Sequence, residues 1–126
     1  MIDNWDKLEA GVISWNRWRQ ADPEAIPQLW KRDLRRTDLR GIDLRWSVVR
    51  RSNFRGSNLQ GAKLHGATLR DCNLRDCDLR GADLSGAVLA GSDLFGARLE
   101  GANLDGADLT DARIAKRYLP SNLASS

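Results

Sequence analysis

Few residues of this chain have the types and spacing that catalysis requires. His65 is the single histidine among the 126 residues. A five-residue repeat, described below, places it at an outward position with Arg45, Gln60 and Ser85 as neighbours, which favours a surface histidine over a general base. The aspartates recur within the same repeat and point to solvent, so they form no enclosed pair with separated pKa values. The sequence therefore predicts no catalytic residue and no enzyme.

The two cysteines, Cys72 and Cys77, are predicted to be structural. Both occupy the small, inward position of the repeat, where a cysteine acts as a small apolar side chain in a reducing compartment. A disulfide is disfavoured, and two cysteines five residues apart without a supporting histidine match no zinc pattern. The glycines recur at the turns of the repeat rather than in a phosphate-binding loop. No metal and no cofactor are expected.

A five-residue period from Leu34 to Ile114 dominates the chain. Every fifth position is Leu, Val, Phe or Ile, seventeen times in succession. The position two before it is mostly small, the position just before it is often Asp or Asn, and the position two after it is mostly Gly. This period matches neither the 3.6 residues of a helix nor the 2.0 of a strand. Self-similarity at a fixed period predicts a solenoid.

Within one pentad the small residue and the Leu are two apart, so both point inward from an extended segment. The Gly supplies the bend that follows. This unit resembles the repeat of the pentapeptide-repeat family, and the segments Ala82 to Gly86 and Ala107 to Asp111 stand close to its consensus. The resemblance implies an all-β solenoid, a right-handed quadrilateral β-helix with four pentads per coil and about four coils.

The first thirty residues do not follow the pentad and are predicted to form an N-terminal capping helix. Acidic residues open this segment, and apolar residues then recur at helical spacing at Trp5, Leu8, Val12, Trp15 and Trp18. The helix would cover the open end of the first coil. The stretch from residue 10 to residue 19 also resembles a leader that precedes the repeats in some family members. The alternative is that the tryptophan-rich face binds a partner.

These patterns divide the chain into a helical cap and leader at 1–30, a β-helix at 31–116, and a C-terminal cap with a frayed tail at 117–126. Ile114, Tyr118 and Leu119 could form a short closing helix. The length fits one domain, and no apolar run is long enough for a transmembrane helix. Acidic residues stand where a secretory signal would need basic ones, so a cytoplasmic protein is expected.

Charge is segregated along the predicted coil. Residues 31–80 hold 13 Lys and Arg against 6 acids, whereas residues 81–111 hold 1 against 6. Residues twenty apart should stack about 4.8 Å from one another, which sorts the outward side chains into four faces. Face one carries Arg35, Arg55, Arg75 and Phe95, face two carries Arg40, Gln60, Arg80 and Glu100, and face three carries Arg45, His65, Ser85 and Asp105. Four arginines have an aspartate two residues earlier on the same face, namely Arg35, Arg40, Arg45 and Arg80. Such exposed pairs are worth only about 0–1 kcal/mol each.

Other arginines lack that neighbour and form a basic patch around the corner of faces four and one. Face four carries Val48, Thr68, Val88 and Asp108 in one column and Arg50, Arg70, Ala90 and Thr110 in the other. The predicted partner-binding residues are Trp46, Val48, Arg50, Arg51, Arg55, Arg70 and Arg75. A partner for this patch should have an acidic surface.

Three functions remain open on the sequence alone. The preferred one is a rigid, non-enzymatic scaffold that binds a protein partner through its charged outer faces. The family resemblance suggests a second, because some members mimic duplex DNA and bind DNA gyrase, although the net charge of +3 argues against mimicry of a polyanion. The third is nucleic-acid binding by the Arg-rich face, which is disfavoured because acids interleave much of that surface.

Overall fold

The structure, a computed structural model, describes residues 3–120. Its regular elements, in chain order, are α1 (Trp5–Glu9), α2 (Val12–Ala21), β1 (Gln28–Trp30), β2 (Val48–Arg50), β3 (Thr68–Arg70) and a 3-10 helix (Lys116–Tyr118). The three strands form a parallel sheet in the order β1-β2-β3 with a register of twenty residues. Isolated parallel bridges repeat that register on the other faces, as in Asp38↔Asn58 and Asp43↔Lys63. Four pentads thus make one coil, and the predicted right-handed quadrilateral β-helix is confirmed.

The pentad centres fill the inside of the coil. Phe54 is 1% exposed and Leu74 is 2% exposed. Each extended segment is hydrogen-bonded to the coils on both sides: Leu64 N–H donates to the Asp83 carbonyl (2.8 Å), and Lys63 N–H donates to the Ile42 carbonyl (2.9 Å). The inward assignment of the period is confirmed, and every coil supports the next through backbone hydrogen bonds.

The corners of the coil depend on a left-handed backbone conformation two residues after each centre. Gly66 adopts φ of +67° there, and Trp46 adopts +64° at the same corner one coil earlier. A Cβ added to Gly66 would lie 2.4 Å from ring carbons of Trp46. Gly66 is therefore required both by its backbone conformation and by the indole packed against it.

The small inward positions carry serines and cysteines that serve the backbone. Cys72 N–H donates to Ser92 Oγ (3.0 Å), and Ser92 Oγ donates in turn to the Leu69 carbonyl. Cys72 and Cys77 are buried free thiols. Burial raises the pKa of Cys72 to about 11 and that of Cys77 to about 12. Both thiols thus stay protonated and unreactive at neutral pH.

The N-terminal segment forms two helices rather than the single amphipathic helix that the spacing predicts. The helical conformation is interrupted between α1 and α2 at Gly11, whose φ is +101°. Trp15 is fully buried, and its Nε1 donates to the Asp43 carbonyl (2.7 Å). Asn16 Oδ1 accepts from Asp43 N–H (2.9 Å), whereas the equivalent amide of the next coil donates to a backbone carbonyl. Side chains of α2 thus supply the hydrogen bonds that a coil preceding the first one would otherwise make to the Asp43 backbone.

The ladder begins one pentad earlier than Leu34. Leu29 in β1 is fully buried and pairs with Val49, so this stretch of the predicted leader is part of the β-helix. Asn4 closes the outer edge of β1. Its backbone N–H donates to the Gln28 carbonyl, and its side-chain oxygen accepts from the backbone N–H of Gln28 (both 2.8 Å). The exposed strand edge is thereby satisfied.

The other end of the coil is less enclosed. Leu109 and Ile114 are partly exposed, and the 3-10 helix follows them with Tyr118 Oη donating to Glu100 Oε1 (2.9 Å). This helix lies where a short closing helix was predicted, and the predicted frayed tail from residue 121 onward lies outside the described residues. Within residues 3–120, no helix is long and apolar enough to cross a membrane.

Candidate protein-binding surface

Four arginines on the outer faces are held by carboxylates of their own strand. The Arg40 guanidinium donates through Nε (2.9 Å) and Nη2 (2.8 Å) to the two oxygens of Asp38. The same two-point contact joins Arg35 to Asp33, Arg45 to Asp43 and Arg80 to Asp78. These arginines are already paired, so they contribute little net charge for a ligand.

The pairing fixes the ionisation of the aspartates. Hydrogen bonds from the Arg40 side chain and backbone lower the pKa of Asp38 to about 2, against an ordinary value of 3.8. Because the folded pKa is the lower one, the pair stabilises the fold above pH 3.8 and loses that effect as the pH falls towards 2. Both side chains are exposed, so the effect on stability is small.

A carboxyl-detected NMR titration should therefore give Asp38 a midpoint near 2. Arg40→Gln should raise this midpoint towards 3.8, the ordinary value, because the variant lacks the charged donor. Asp33, whose pKa is also lowered to about 2 by Arg35, serves as the internal control and should not move. An unchanged Asp38 midpoint in the variant would contradict the pairing.

The predicted residues Arg50, Arg51 and Arg70 come together on face four. Arg50 of β2 and Arg70 of β3 are register neighbours, and Arg51 occupies the turn that follows β2. They line an open groove of about 430 Å³ whose complete lining is Trp30, Lys31, Arg50, Arg51, Arg70 and Asp71. We call this the face-four groove.

The cations of the face-four groove differ from the paired arginines. Within the described residues, Lys31, Arg50, Arg51 and Arg70 form no ion pair with a carboxylate. On the strand segments, Val48 and Thr68 stand where an aspartate would precede Arg50 and Arg70. The groove thus holds four cations against the single carboxylate of Asp71, a concentrated excess of positive charge.

Arg55 and Arg75, the other two predicted arginines, lie on face one and are paired across coils. Arg55 Nε is 3.7 Å from Asp76 Oδ2, and Arg75 Nη1 is 2.9 Å from Asp93 Oδ2. The Arg75 guanidinium also lies 4.8 Å from the ring centre of Phe95. The sequence argument considered only neighbours on the same strand and so left these partners out. We therefore do not count Arg55 and Arg75 among the groove residues.

Trp46 and Val48 belong to face four but not to the groove. Trp46 is 58% exposed and lies at the corner opposite Arg51, with its ring centre 4.8 Å from that of His65 in an edge-on contact. Val48 is partly exposed on β2 between the two corners. Trp30, Lys31 and Asp71 are the groove residues that sequence reasoning missed. The signal for Trp30 and Lys31 was Leu29, which continues the five-residue period by one step.

The surroundings of His65 do not activate a nucleophile. His65 Nδ1 lies 2.7 Å from Ser85 Oγ, and Ser85 Oγ donates to Asp83 Oδ1 (2.6 Å). A nucleophilic serine needs the histidine between hydroxyl and carboxylate, whereas here the serine stands in the middle and gives its proton to Asp83. Among residues 3–120, no group of three or more His, Cys, Asp or Glu is placed to hold a metal ion.

The coil and its five-residue unit agree with a known family. The profile described as pentapeptide repeats matches residues 33–71 and 72–111 in eight copies. This chain belongs to the pentapeptide-repeat family. A comparison with curated proteins gives no match.

Solved structures of similar proteins show the same fold. The pentapeptide repeat protein Rfr23 from the cyanobacterium Cyanothece 51142 is 31% identical, with a TM-score of 0.67, over 73% of this chain and 67% of its own. The pentapeptide repeat protein alr5209 from Nostoc PCC 7120 is 37% identical, with a TM-score of 0.50, over 80% and 73%. QnrB1, a plasmid-mediated fluoroquinolone resistance protein, is 18% identical over 68% of this chain and 67% of its own, with a TM-score of 0.39. That last likeness is too low to carry an argument about function.

Proposed function

We propose that this chain is a non-enzymatic interaction protein that uses the face-four groove to bind an acidic surface of a partner protein. The observation that carries the proposal is the contrast between two sets of arginines. Arg35, Arg40 and Arg80 are held by aspartates of their own strand. The groove cations form no such pair within the described residues, and they stand together on one face.

The stacking of the groove arginines favours an anionic partner. Arg50 and Arg70 are register neighbours in adjacent coils, so two positive charges stand side by side on one face and repel each other. Carboxylates of a partner would remove this repulsion and accept two hydrogen bonds from each guanidinium. Trp30 and the exposed Trp46 add the aromatic area that binding surfaces commonly use.

The scaffold is suited to recognition because the backbone beneath the groove is already ordered. Val48 N–H donates to the Pro27 carbonyl and Arg51 N–H donates to the Arg70 carbonyl, so the lining strands are fixed from both sides. A preordered surface avoids part of the entropy cost of binding.

Two other functions would use the same molecule differently. A nucleic acid would engage the groove through phosphates, and its affinity would fall steeply with added salt. A gyrase-type partner would instead engage the acidic residues of 81–111, which hold 6 acids against 1 arginine. The aspartates on faces one to three interleave with the arginines and disfavour the first of these. The overall charge of +3 disfavours the second.

Affinity capture from the native cell tests the proposal with three baits. These are the wild-type chain, a groove variant with Arg50, Arg51 and Arg70 changed to Glu, and a control with Arg36, Lys63 and Arg98 changed to Glu. The control residues are exposed, lie off face four and receive the same change of charge. Circular dichroism confirms that each bait is folded.

We expect the groove variant to lose a protein that the wild type and the control both retain after nuclease treatment. Equal retention by all three baits would exclude the groove. Loss of the captured material on nuclease treatment, with a steep salt dependence, would favour nucleic acid instead. If all three baits retain the protein equally, the next test is to reverse the charges of Glu100, Asp105 and Asp108, because this addresses the gyrase-type alternative.

A further inference from the structure

Face four carries opposite charges on its two halves. We define the lower half as residues 46–51 and 66–71 and the upper half as residues 86–91 and 106–111. The lower half contains Arg50, Arg51 and Arg70 against Asp71, a net charge of +2. The upper half contains Asp108 and Asp111 and no basic residue, a net charge of −2. The acidic surface that the groove requires is thus present on the same face of the same molecule.

A two-fold rotation places the lower half of one copy against the upper half of a second copy. Consider a two-fold axis that lies in the plane of face four and runs across it, midway between β3 and the row at Val88. Rotation about this axis reverses the direction of the coil but keeps each corner on its own side. The segment around Val48 in one copy then lies against the segment around Asp108 in the other copy. In the same way, the segment around Thr68 lies against the segment around Val88. Arg51 therefore stands opposite Asp111, and this contact occurs twice.

We propose that a second copy of this chain, packed antiparallel against face four, is a partner for the face-four groove. This inference rests on the proposed function, because it identifies the acidic surface that the groove binds. The two copies would be joined by Arg51 of each with Asp111 of the other, around a centre made of Thr68 and Val88.

The shapes of the two halves fit this arrangement as well as their charges do. Trp46 projects from the lower half with 58% of its surface exposed, and its indole lies against Gly66. Under this rotation it would meet the corner formed by Gly86 and Gly106, which have no side chains. Arg70 would meet Ala90, which is 8% exposed and beside Gly91. Trp46 and Arg70 of the lower half thus each face small residues. Lys116, which lines the same surface depression as Asp108 and Thr110, is a basic side chain beside the upper half that opposes the pairing.

Face two offers similar charges but not the same surface. Arg40 and Glu100 would be opposed there by the same rotation, yet Arg40 is already paired with Asp38 and Glu100 accepts from Tyr118. The middle of face two is polar, with Gln60 Nε2 donating to Asp78 (2.8 Å). Face four has Thr68 and Val88 along its middle instead, and these partly exposed side chains gain from being covered.

The contact is small, so the expected dimer is weak. Four rows about 4.8 Å apart and three residues wide make a face roughly 10 Å by 20 Å, well below the ~800 Å² per partner of a standard interface. Sedimentation equilibrium from about 10 µM to about 1 mM should therefore detect the association only towards the upper end of that range. Raising the salt from about 20 mM to about 500 mM should weaken it, because the charged contacts are exposed.

A charge swap tests the proposed register. Arg51→Asp and Asp111→Arg should each weaken dimerisation about tenfold or more, and the double swap should restore it, since the pair is then merely inverted. The backbone tolerates both changes because Arg51 (φ +52°) and Asp111 (φ +58°) occupy the same turn position. Arg36→Asp is the matched control, with φ of +51° at another corner, and should have no effect.

The outcomes separate this inference from the proposed function. A wild-type chain that stays monomeric at about 1 mM and low salt overturns the self-pairing, as does a double swap that fails to restore association. If the groove instead binds a different acidic protein, Arg51→Asp should weaken the capture of that protein. Adding Asp111→Arg should not restore the capture, because the charge of that partner is unchanged. Weakening by both single variants with restoration by the double swap supports the antiparallel pair.

Discussion

Leu74→Ala is expected to lower the free energy of unfolding by about 2–5 kcal/mol. Leu74 is 2% exposed and stacks between Phe54 and Leu94, the pentad centres of the coils below and above. Its side chain fills space that no other residue can reach, because the backbone of each coil is hydrogen-bonded to both neighbours. Truncation removes buried methyl groups and leaves a cavity that the rigid coil cannot close.

Equilibrium unfolding in urea, followed by circular dichroism, measures this effect. Lys63→Ala is the control, because Lys63 is exposed in the same part of the coil, and it should change stability by no more than about 0.5 kcal/mol. If both substitutions were equally harmless, the pentad centres would not form the core.

The β-helix could be predicted because each pentad obeys the same local rule. The apolar centre, the small residue two before it and the turn residue two after it fix one side of the square. Repetition then fixes the coil without any long-range information. The burial of Phe54, Leu74 and Leu84 follows directly from this rule, as does the positive φ at Gly61 and Gly86.

The ends of the coil could not be predicted to the same degree, because they depend on single contacts rather than on repetition. Leu29 fits the period, yet Trp30 and Lys31 follow it where a turn glycine would have marked a pentad. The break at Gly11 separates two helices whose apolar spacing reads as one. Nothing in the spacing shows that Asn16 replaces a backbone partner of Asp43.

The charged surface was predictable only where partners share a strand. Arg40 and Asp38 are two residues apart, so their contact follows from the extended backbone. Arg75 reaches Asp93 in the next coil, and that contact depends on which rotamer a long side chain adopts. The structure is needed to show that Arg55 and Arg75 are paired across coils. Only then can the unpaired arginines of the groove be distinguished from them.

Trp15→Ala is expected to be as damaging as the loss of a core leucine, at about 3–5 kcal/mol. Trp15 is fully buried although it belongs to α2 and not to the repeat. Its ring packs edge-on against Trp18, with 5.1 Å between ring centres. Its Nε1 also supplies the hydrogen bond that the Asp43 carbonyl would otherwise receive from a preceding coil. The substitution therefore opens a cavity and leaves a backbone carbonyl without its donor.

Trp15→Phe separates these two effects, since it keeps most of the apolar volume but has no N–H to donate. Its cost should lie between that of Trp15→Ala and zero, at about 1–3 kcal/mol. Trp46→Ala is the control, because Trp46 is 58% exposed and its indole N–H has no partner within the described residues. Urea unfolding of the three variants, together with amide exchange of residues 41–45, gives the measurement.

Faster exchange confined to the first coil in Trp15→Phe would show that α2 protects that edge of the β-helix. The reason is local: the amide of Asp43 is held by Asn16, and α2 is anchored to the same segment by Trp15 and Arg19. If Trp15→Ala were no more destabilising than Trp46→Ala, and exchange at residues 41–45 were unchanged, α2 would not be the cap. The tryptophan-rich helix would then be free to serve a partner, and the first coil would have to satisfy its own edge.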